Sequence, residues 1–134
     1  MKTNVYAELL EKYSYMFALR ETKPGEPLQP IVFGVECGPG WYKILRNLMW
    51  SIDKIDTNRN FRFTQIKEKF GTLRAYYLLT GSTEELDWAI QTLIDTAEKE
   101  SESICEECGG PGQPNGDGGW IRTLCSPCRE KRGR

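Results

Sequence analysis

The sequence predicts an α+β protein in which a small antiparallel sheet is packed by about three helices and followed by a cysteine-rich segment. Stretches with apolar residues every three or four positions alternate with short β-branched and aromatic runs. Four of the five cysteines fall in two closely spaced pairs near the C-terminus. A length of 134 residues fits one compact core with one small appendage. We therefore expect an α+β domain over residues 1–103 and a cysteine-rich unit with a basic tail over residues 104–134.

Three amphipathic helices account for the helical part of this prediction. Their expected ranges are residues 3–20, 40–54 and 82–103. In the second helix Trp41 shares one face with Ile44 and Leu48, which is typical of a helix packed on a core. The third helix follows Ser82 and Thr83, and either residue is suited to accept the first free backbone N–H groups as an N-cap.

Three β-branched and aromatic runs are expected to form the antiparallel sheet. They cover residues near 31–35, 61–66 and 72–79. The last two runs are separated by a short break at Phe70 and Gly71, which predicts a hairpin.

Overall composition excludes several classes of function. The chain has no histidine, so catalysis or metal binding by imidazole is impossible within it. The formal net charge of −1 does not favour a protein that coats nucleic acid by charge alone. No apolar run approaches the roughly 20 residues of a membrane helix, and the N-terminal residues lack the apolar core of a signal peptide. We therefore expect a cytoplasmic protein without a membrane partner and without recognisable catalytic chemistry.

Charge is nevertheless distributed unevenly along the chain. Residues 61–80 carry four basic residues and one acidic residue, whereas residues 81–108 carry nine acidic residues and a single lysine. This pattern predicts a basic hairpin beside an acidic helix. Acidic helix residues most often form a solvated face.

The two cysteine pairs form the most specific motif in the sequence. Cys105 and Cys108 form one Cys-x-x-Cys pair, Cys125 and Cys128 form the other, and 16 residues separate them. This spacing is typical of a structural zinc site with four thiolates, here in a zinc ribbon. Two disulfides or a redox pair are the alternatives, and the expected cytoplasmic location and the glycine-rich surroundings favour zinc.

Cys37 is left outside these pairs. At the start of the second helix it is either a thiol activated by the helix dipole or a small buried apolar residue. The absence of histidine favours the second interpretation. The neighbouring turn Gly38-Pro39-Gly40 is either an ordinary turn or a set of N–H groups able to bind an anion.

Alternating cations and aromatic residues along residues 65–77 predict a second site. Cations bind phosphates and aromatic rings stack on bases, although an ordinary hairpin with solvated lysines has the same pattern. The expected ligand-binding residues are Trp41, Lys67, Lys69, Arg74, Tyr76, Trp120 and Arg122. Arg74 is the expected phosphate contact, because a planar guanidinium donates two parallel hydrogen bonds.

Three motifs resemble a family of small uncharacterised proteins of bacteria and their phages. They are ECGPGW at residues 36–41, QIKEKFGTLR at residues 65–74, and the cysteine motifs at residues 105–109 and 118–125. The resemblance spans about residues 31–128 and implies a C-terminal ribbon. Family members sometimes carry histidine at the last ligand position, which makes Cys128 a variant ligand.

A small phage-like protein of this kind is expected to be a binder rather than an enzyme. The primary expectation is a compact anionic ligand of nucleotide type, held for instance to sequester a host defence signal. One alternative is a protein-interaction module that inhibits or adapts a host protein. The other is a zinc-ribbon nucleic-acid-binding protein, which the acidic helix disfavours because it would repel an extended polyanion. A homo-oligomer is compatible with each of them.

Overall fold

The computed structural model describes residues 5–17, 35–115 and 121–132 and has the α+β architecture that the sequence predicts. Its helices are α1 (Ala7–Lys12), α2 (Tyr42–Ile55), α3 (Glu84–Ser101) and α4 (Ser126–Arg132). Its strands are β1 (Val35–Glu36), β2 (Phe61–Lys69), β3 (Thr72–Leu79), β4 (Gln113–Asn115) and β5 (Arg122–Leu124). Strands β1, β2 and β3 form one sheet in that order, and β4 and β5 form a second sheet.

The hairpin of β2 and β3 is confirmed and supplies most of the larger sheet. Phe70 and Gly71 form its turn with φ angles of 55° and 83°, which suit the tight turns that follow the twist of paired strands. A bulge between Phe63 and Gln65 lets Phe61, Phe63 and Ile66 all face the core. The opposite side, called the outer face below, carries Arg62, Gln65, Lys67, Lys69, Thr72, Arg74, Tyr76 and Leu78.

The expectation of a purely antiparallel sheet is wrong for the first strand. Residues 31–34 lie outside the described residues, and β1 pairs with β2 in parallel, with Val35 opposite Ile66 and Glu36 opposite Lys67. The reason is that α2 lies between β1 and β2 in the chain. A helical crossover returns the chain to the same end of the sheet, and the next strand then runs parallel to the first.

The first helix is shorter than the range 3–20 predicts. Among the described residues it covers only Ala7–Lys12, with Tyr13 as its C-cap, and is followed by a 3₁₀ helix over Ser14–Phe17. Tyr15, Met16 and Phe17 are all buried. Three consecutive residues cannot all lie on one face of an α-helix, so the chain changes geometry to bury them.

Helices α2 and α3 confirm the other two helical predictions. Thr83 is the N-cap of α3, and its hydroxyl accepts a hydrogen bond from the Leu86 N–H at 3.2 Å. Helix α3 also covers the edge of β3. Its Ser101 hydroxyl accepts from the Leu73 N–H at 2.8 Å, and Glu98 accepts from the Ala75 N–H at 3.1 Å. These bonds protect an edge that would otherwise be open to further strands.

The C-terminal ribbon, residues 104–132 as far as they are described, packs against the hairpin turn and the start of α2. The Thr123 hydroxyl donates to the Gly71 carbonyl at 2.6 Å, and the Trp41 indole donates to the Ile104 carbonyl at 2.9 Å. The division into units at residue 103 stays a prediction, but the two segments are in direct contact. Among the described residues, none of the helices combines the length and apolarity that a membrane span requires.

Candidate metal centre and ligand surface

The four paired cysteines come together at one point of the ribbon. The Sγ atoms of Cys105, Cys108, Cys125 and Cys128 all lie within 4.8 Å of one another. The Cys108 and Cys125 sulfurs are 3.6 Å apart, and none of the four forms a disulfide. A tetrahedral metal with metal–sulfur bonds of about 2.3 Å places its sulfurs about 3.8 Å apart, whereas a disulfide places them about 2.05 Å apart. The cluster therefore fits one metal ion.

Backbone turns bring the paired sulfurs of the first knuckle together. The Gly109 N–H donates to the Cys105 carbonyl at 2.9 Å, and the Cys105 N–H donates to the Gly110 carbonyl at 2.7 Å. Gly109 has a φ angle of 85°, where a side chain would be strained. In the second knuckle the Arg129 N–H donates to the Cys125 carbonyl at 2.9 Å as α4 begins. The sequence did not predict α4.

The charge state of the cluster favours a cation among the sulfurs. Burial raises the pKa of Cys105. Hydrogen bonds from the backbone of Cys125, Cys108 and Glu107 lower it by more, so that the net pKa is about 6. The pKa of Cys128 is instead raised to about 12, chiefly by its hydrogen bond with the Cys125 thiol. Cys105 thus loses its proton readily and Cys128 resists losing its own, whereas a bound divalent ion would stabilise all four sulfurs as thiolates.

Glu106 connects the metal knuckle to the α+β core. Its side chain is buried, which raises the pKa of its carboxyl group. One carboxylate oxygen accepts from the Gly38 N–H at 2.8 Å, and the other accepts from Arg122 at 3.2 Å. The Gly40 N–H donates to the Glu106 carbonyl at 2.6 Å. The role of Glu106 could not be predicted from the sequence, because a buried carboxylate between two cysteines has the same sequence pattern as a solvated one.

Close approach explains the glycines of the turn before α2. A Cβ atom at Gly40 would lie 2.1 Å from the Cys105 carbonyl oxygen, and one at Gly38 would lie 2.6 Å from the Glu106 carbonyl oxygen. Both distances are shorter than real Cβ contacts, and both involve backbone atoms that cannot rotate away. The turn and the first knuckle therefore contact each other through their main chains.

Four of the seven expected ligand-binding residues share the outer face. Lys67 and Arg74 are directly opposite each other across the two strands, Lys69 follows toward the turn, and Tyr76 lies farther along β3. Lys67 and Arg74 are half-buried, whereas Lys69 and Tyr76 are exposed. The register thus produces the basic and aromatic surface that the alternation indicated.

The other three residues that we expected to bind the ligand, Trp41, Arg122 and Trp120, are not seen on the outer face. Trp41 is fully buried and donates to the Ile104 carbonyl, so its assignment to a ligand surface is wrong. Trp41 is the N-cap of α2 and is buried together with the apolar residues of that helix. Arg122 is bound to Glu106 and forms an ion pair with it at 3.2 Å. Trp120 lies outside the described residues.

Cys37 is half-buried, which favours its interpretation as a small apolar residue. It packs against the core, and burial raises the pKa of its thiol to about 12. Its sulfur lies 3.6 Å from the Tyr6 hydroxyl. A thiol with so high a pKa is not an activated nucleophile.

Comparison of the chain with protein-family models, curated proteins and solved structures finds no match. The resemblance to small bacterial and phage proteins therefore stays a prediction. The function of the two sites must be inferred from their own geometry and charge.

Proposed function

We propose that this chain is a non-enzymatic binding protein that holds a nucleotide-type anion on the outer face and uses zinc to hold its ribbon together. The pairing of Lys67 with Arg74 is the observation that carries the ligand proposal. The Cβ atoms of residues directly opposite each other in an antiparallel pair lie about 5 Å apart, and like charges on such a pair destabilise the sheet. Within the described residues neither cation forms an ion pair. A bound anion would relieve the repulsion.

The surroundings of this pair support an anionic ligand. Glu36 of β1 lies beside Lys67 in the sheet, accepts a hydrogen bond from Gln65 at 3.4 Å and offsets part of the positive charge. Lys69 adds a third positive charge, and Arg74 offers a planar fork to a phosphate group. Tyr76 is two residues from Arg74 on the same face, where its ring can stack on a base.

Zinc is the metal that the donor set favours. Four cysteine thiolates at Cys-x-x-Cys spacing are typical of structural zinc, and they fill a tetrahedral shell. Such a shell leaves no position for a reacting water or substrate. The absence of histidine from the sequence removes the commonest general base as well. Both features support a role in binding rather than in catalysis.

Native mass spectrometry and calorimetry of the metal-loaded chain with a panel of nucleotides test the proposal. Arg74→Ala should weaken nucleotide binding by about tenfold or more, because a hydrogen bond to a charged group contributes about 1.5–3 kcal/mol. Arg46→Ala is the matched control, since Arg46 is an exposed arginine of α2 whose guanidinium lies 6.0 Å from the Tyr42 ring centre. Equal loss in both variants, or no nucleotide binding at low salt, would contradict the proposal.

Single-stranded nucleic acid is a second candidate because the outer face is open. Tyr76 and Phe70 are both exposed along the hairpin, and successive aromatic rings can stack on successive bases. Length dependence distinguishes the two ligands. A compact-ligand site binds a mononucleotide as tightly as an oligonucleotide, whereas a nucleic-acid site binds longer strands more tightly and loses affinity steeply with salt.

A further inference from the structure

A groove lies between the end of β3 and the first half of α3, away from the metal site. Its volume is about 550 Å³. Strand β3 contributes Leu78 and Leu79, and α3 contributes Glu84, Asp87, Trp88 and Gln91. These residues take no part in the proposed nucleotide contacts.

Large apolar side chains are exposed at this groove. Trp88 is 74% exposed and Leu78 is 54% exposed. Apolar side chains grouped at a surface depression are typical of an interaction site. Trp50 on α2 is also 54% exposed, but the Lys54 amine lies 5.1 Å from its ring centre. Among the described residues no cation lies over the ring of Trp88.

The polar residues of the groove make it strongly acidic. Within the part of the chain that the structure describes, neither Glu84 nor Asp87 forms an ion pair. Gln91 is held in place by two hydrogen bonds, one from the Tyr77 hydroxyl at 2.7 Å and one to Asp95 at 2.8 Å. Burial, followed by the charges of Asp95 and Asp87, raises the pKa of Tyr77. The groove therefore combines the carboxylates of Glu84 and Asp87 with an exposed Gln91 that is held by two hydrogen bonds.

We propose that this groove docks a basic segment of a partner protein. An arginine or lysine of the partner lies over the indole of Trp88 between the carboxylates of Glu84 and Asp87, and an apolar residue of the same segment contacts Leu78. Cation–π contact and charge pairing both favour this occupant. Nucleic acid and anionic lipid are repelled by the same carboxylates. The protein-interaction function is thus assigned to a surface that shares only Leu78 with the outer face and contains none of the proposed nucleotide contacts.

Fluorescence anisotropy with a short labelled peptide of arginine and leucine tests the proposal on the metal-loaded full chain. The basic peptide should bind at low salt, whereas a peptide with glutamate in place of arginine should not. Trp88→Ala should weaken binding by at least about tenfold, as expected for an aromatic anchor. Trp50→Ala should leave binding within about twofold, because the ring of Trp50 lies in a different environment.

A substitution that removes a charge but keeps the side-chain shape measures the electrostatic contribution to peptide binding. Glu84→Gln should weaken binding about threefold at low salt and have less effect at high salt, because exposed charges are screened. Glu85→Gln is its control, since Glu85 lies in the same first turn of α3 but does not line the groove.

Three results would overturn the proposal. The first is that the acidic peptide binds as tightly as the basic one, and the second is that Trp88→Ala and Trp50→Ala weaken peptide binding equally. The third is a concentration-dependent oligomer that Trp88→Ala abolishes, which would make a second copy of the chain the occupant of the groove. Arg74→Ala should leave peptide binding unchanged. Failure of the peptide proposal and failure of the nucleotide proposal are therefore separate observations.

Discussion

Gly40→Ala tests the contact between the ribbon and the core most directly. The new Cβ would lie 2.1 Å from the Cys105 carbonyl oxygen and 2.6 Å from the main chain of Glu106. Ordinary contacts begin at 3.4 Å. The first knuckle must therefore move by roughly 1.3 Å, because neither the turn nor the knuckle has a side chain at this point that could rotate away.

The free-energy cost follows from the hydrogen bonds that such a movement disturbs. The Gly38 N–H donates to the Glu106 carboxylate at 2.8 Å, and the Trp41 indole donates to the Ile104 carbonyl at 2.9 Å. The Gly40 N–H itself donates to the Glu106 carbonyl at 2.6 Å. At about 1 kcal/mol for each bond, and somewhat more for the one to a carboxylate, Gly40→Ala should lower the free energy of unfolding by about 2–4 kcal/mol.

Urea unfolding of the metal-loaded protein, followed by circular dichroism, measures this cost. Gly110→Ala is the control, because its Cβ would meet only the Cys108 sulfur at 3.6 Å, an ordinary contact. That variant should unfold within about 1 kcal/mol of the unsubstituted chain. The close-approach explanation is refuted if the two alanine variants lose the same stability, or if Gly40→Ala loses less than about 0.5 kcal/mol.

Three further predictions concern the metal, the buried indole and the helix cap. Native mass spectrometry should find one zinc ion per chain, and a chelator should lower the thermal unfolding temperature; a folded chain with disulfides and no metal would contradict this. Trp41→Phe should cost about 1–3 kcal/mol in urea unfolding, because it leaves the Ile104 carbonyl without its donor. Thr83→Ala should cost about 1 kcal/mol, because the Leu86 N–H loses its acceptor, whereas Ser82→Ala should not remove this cap.

Features determined by short stretches of sequence could be predicted. The four metal ligands follow from two local spacings, and the hairpin follows from a turn in which Gly71 tolerates a positive φ angle. The sequence predicts either Ser82 or Thr83 as the N-cap of α3, and Thr83 is the one that accepts the hydrogen bond. The hairpin turn and the N-cap each depend on contacts within a few residues. The metal ligands are recognised because the same short Cys-x-x-Cys spacing occurs twice.

Features determined by contacts distant in sequence could not be predicted. Trp41 satisfied two patterns at once, an apolar helix face and an aromatic ligand surface, and only its contact with Ile104 decides between them. The parallel direction of β1 depends on α2 returning the chain to the same end of the sheet before β2 begins. The burial of Tyr15 to Phe17 depends on β2, whose Phe63 stacks on Phe17 with ring centres 5.3 Å apart.

The sequence of the turn before α2 predicts free N–H groups able to bind an anion, but it does not predict which anion binds there. Gly38 does donate its N–H to an anion, but that anion is the buried carboxylate of Glu106, supplied by the ribbon of the same chain, and Gly40 donates to the main-chain carbonyl of the same residue. An external anion at this turn would have to displace Glu106 and leave the cation of Arg122 without its partner. Because displacing a buried, hydrogen-bonded carboxylate is costly, the turn stabilises the fold, and an external anionic ligand should bind instead at the exposed cations of the outer face.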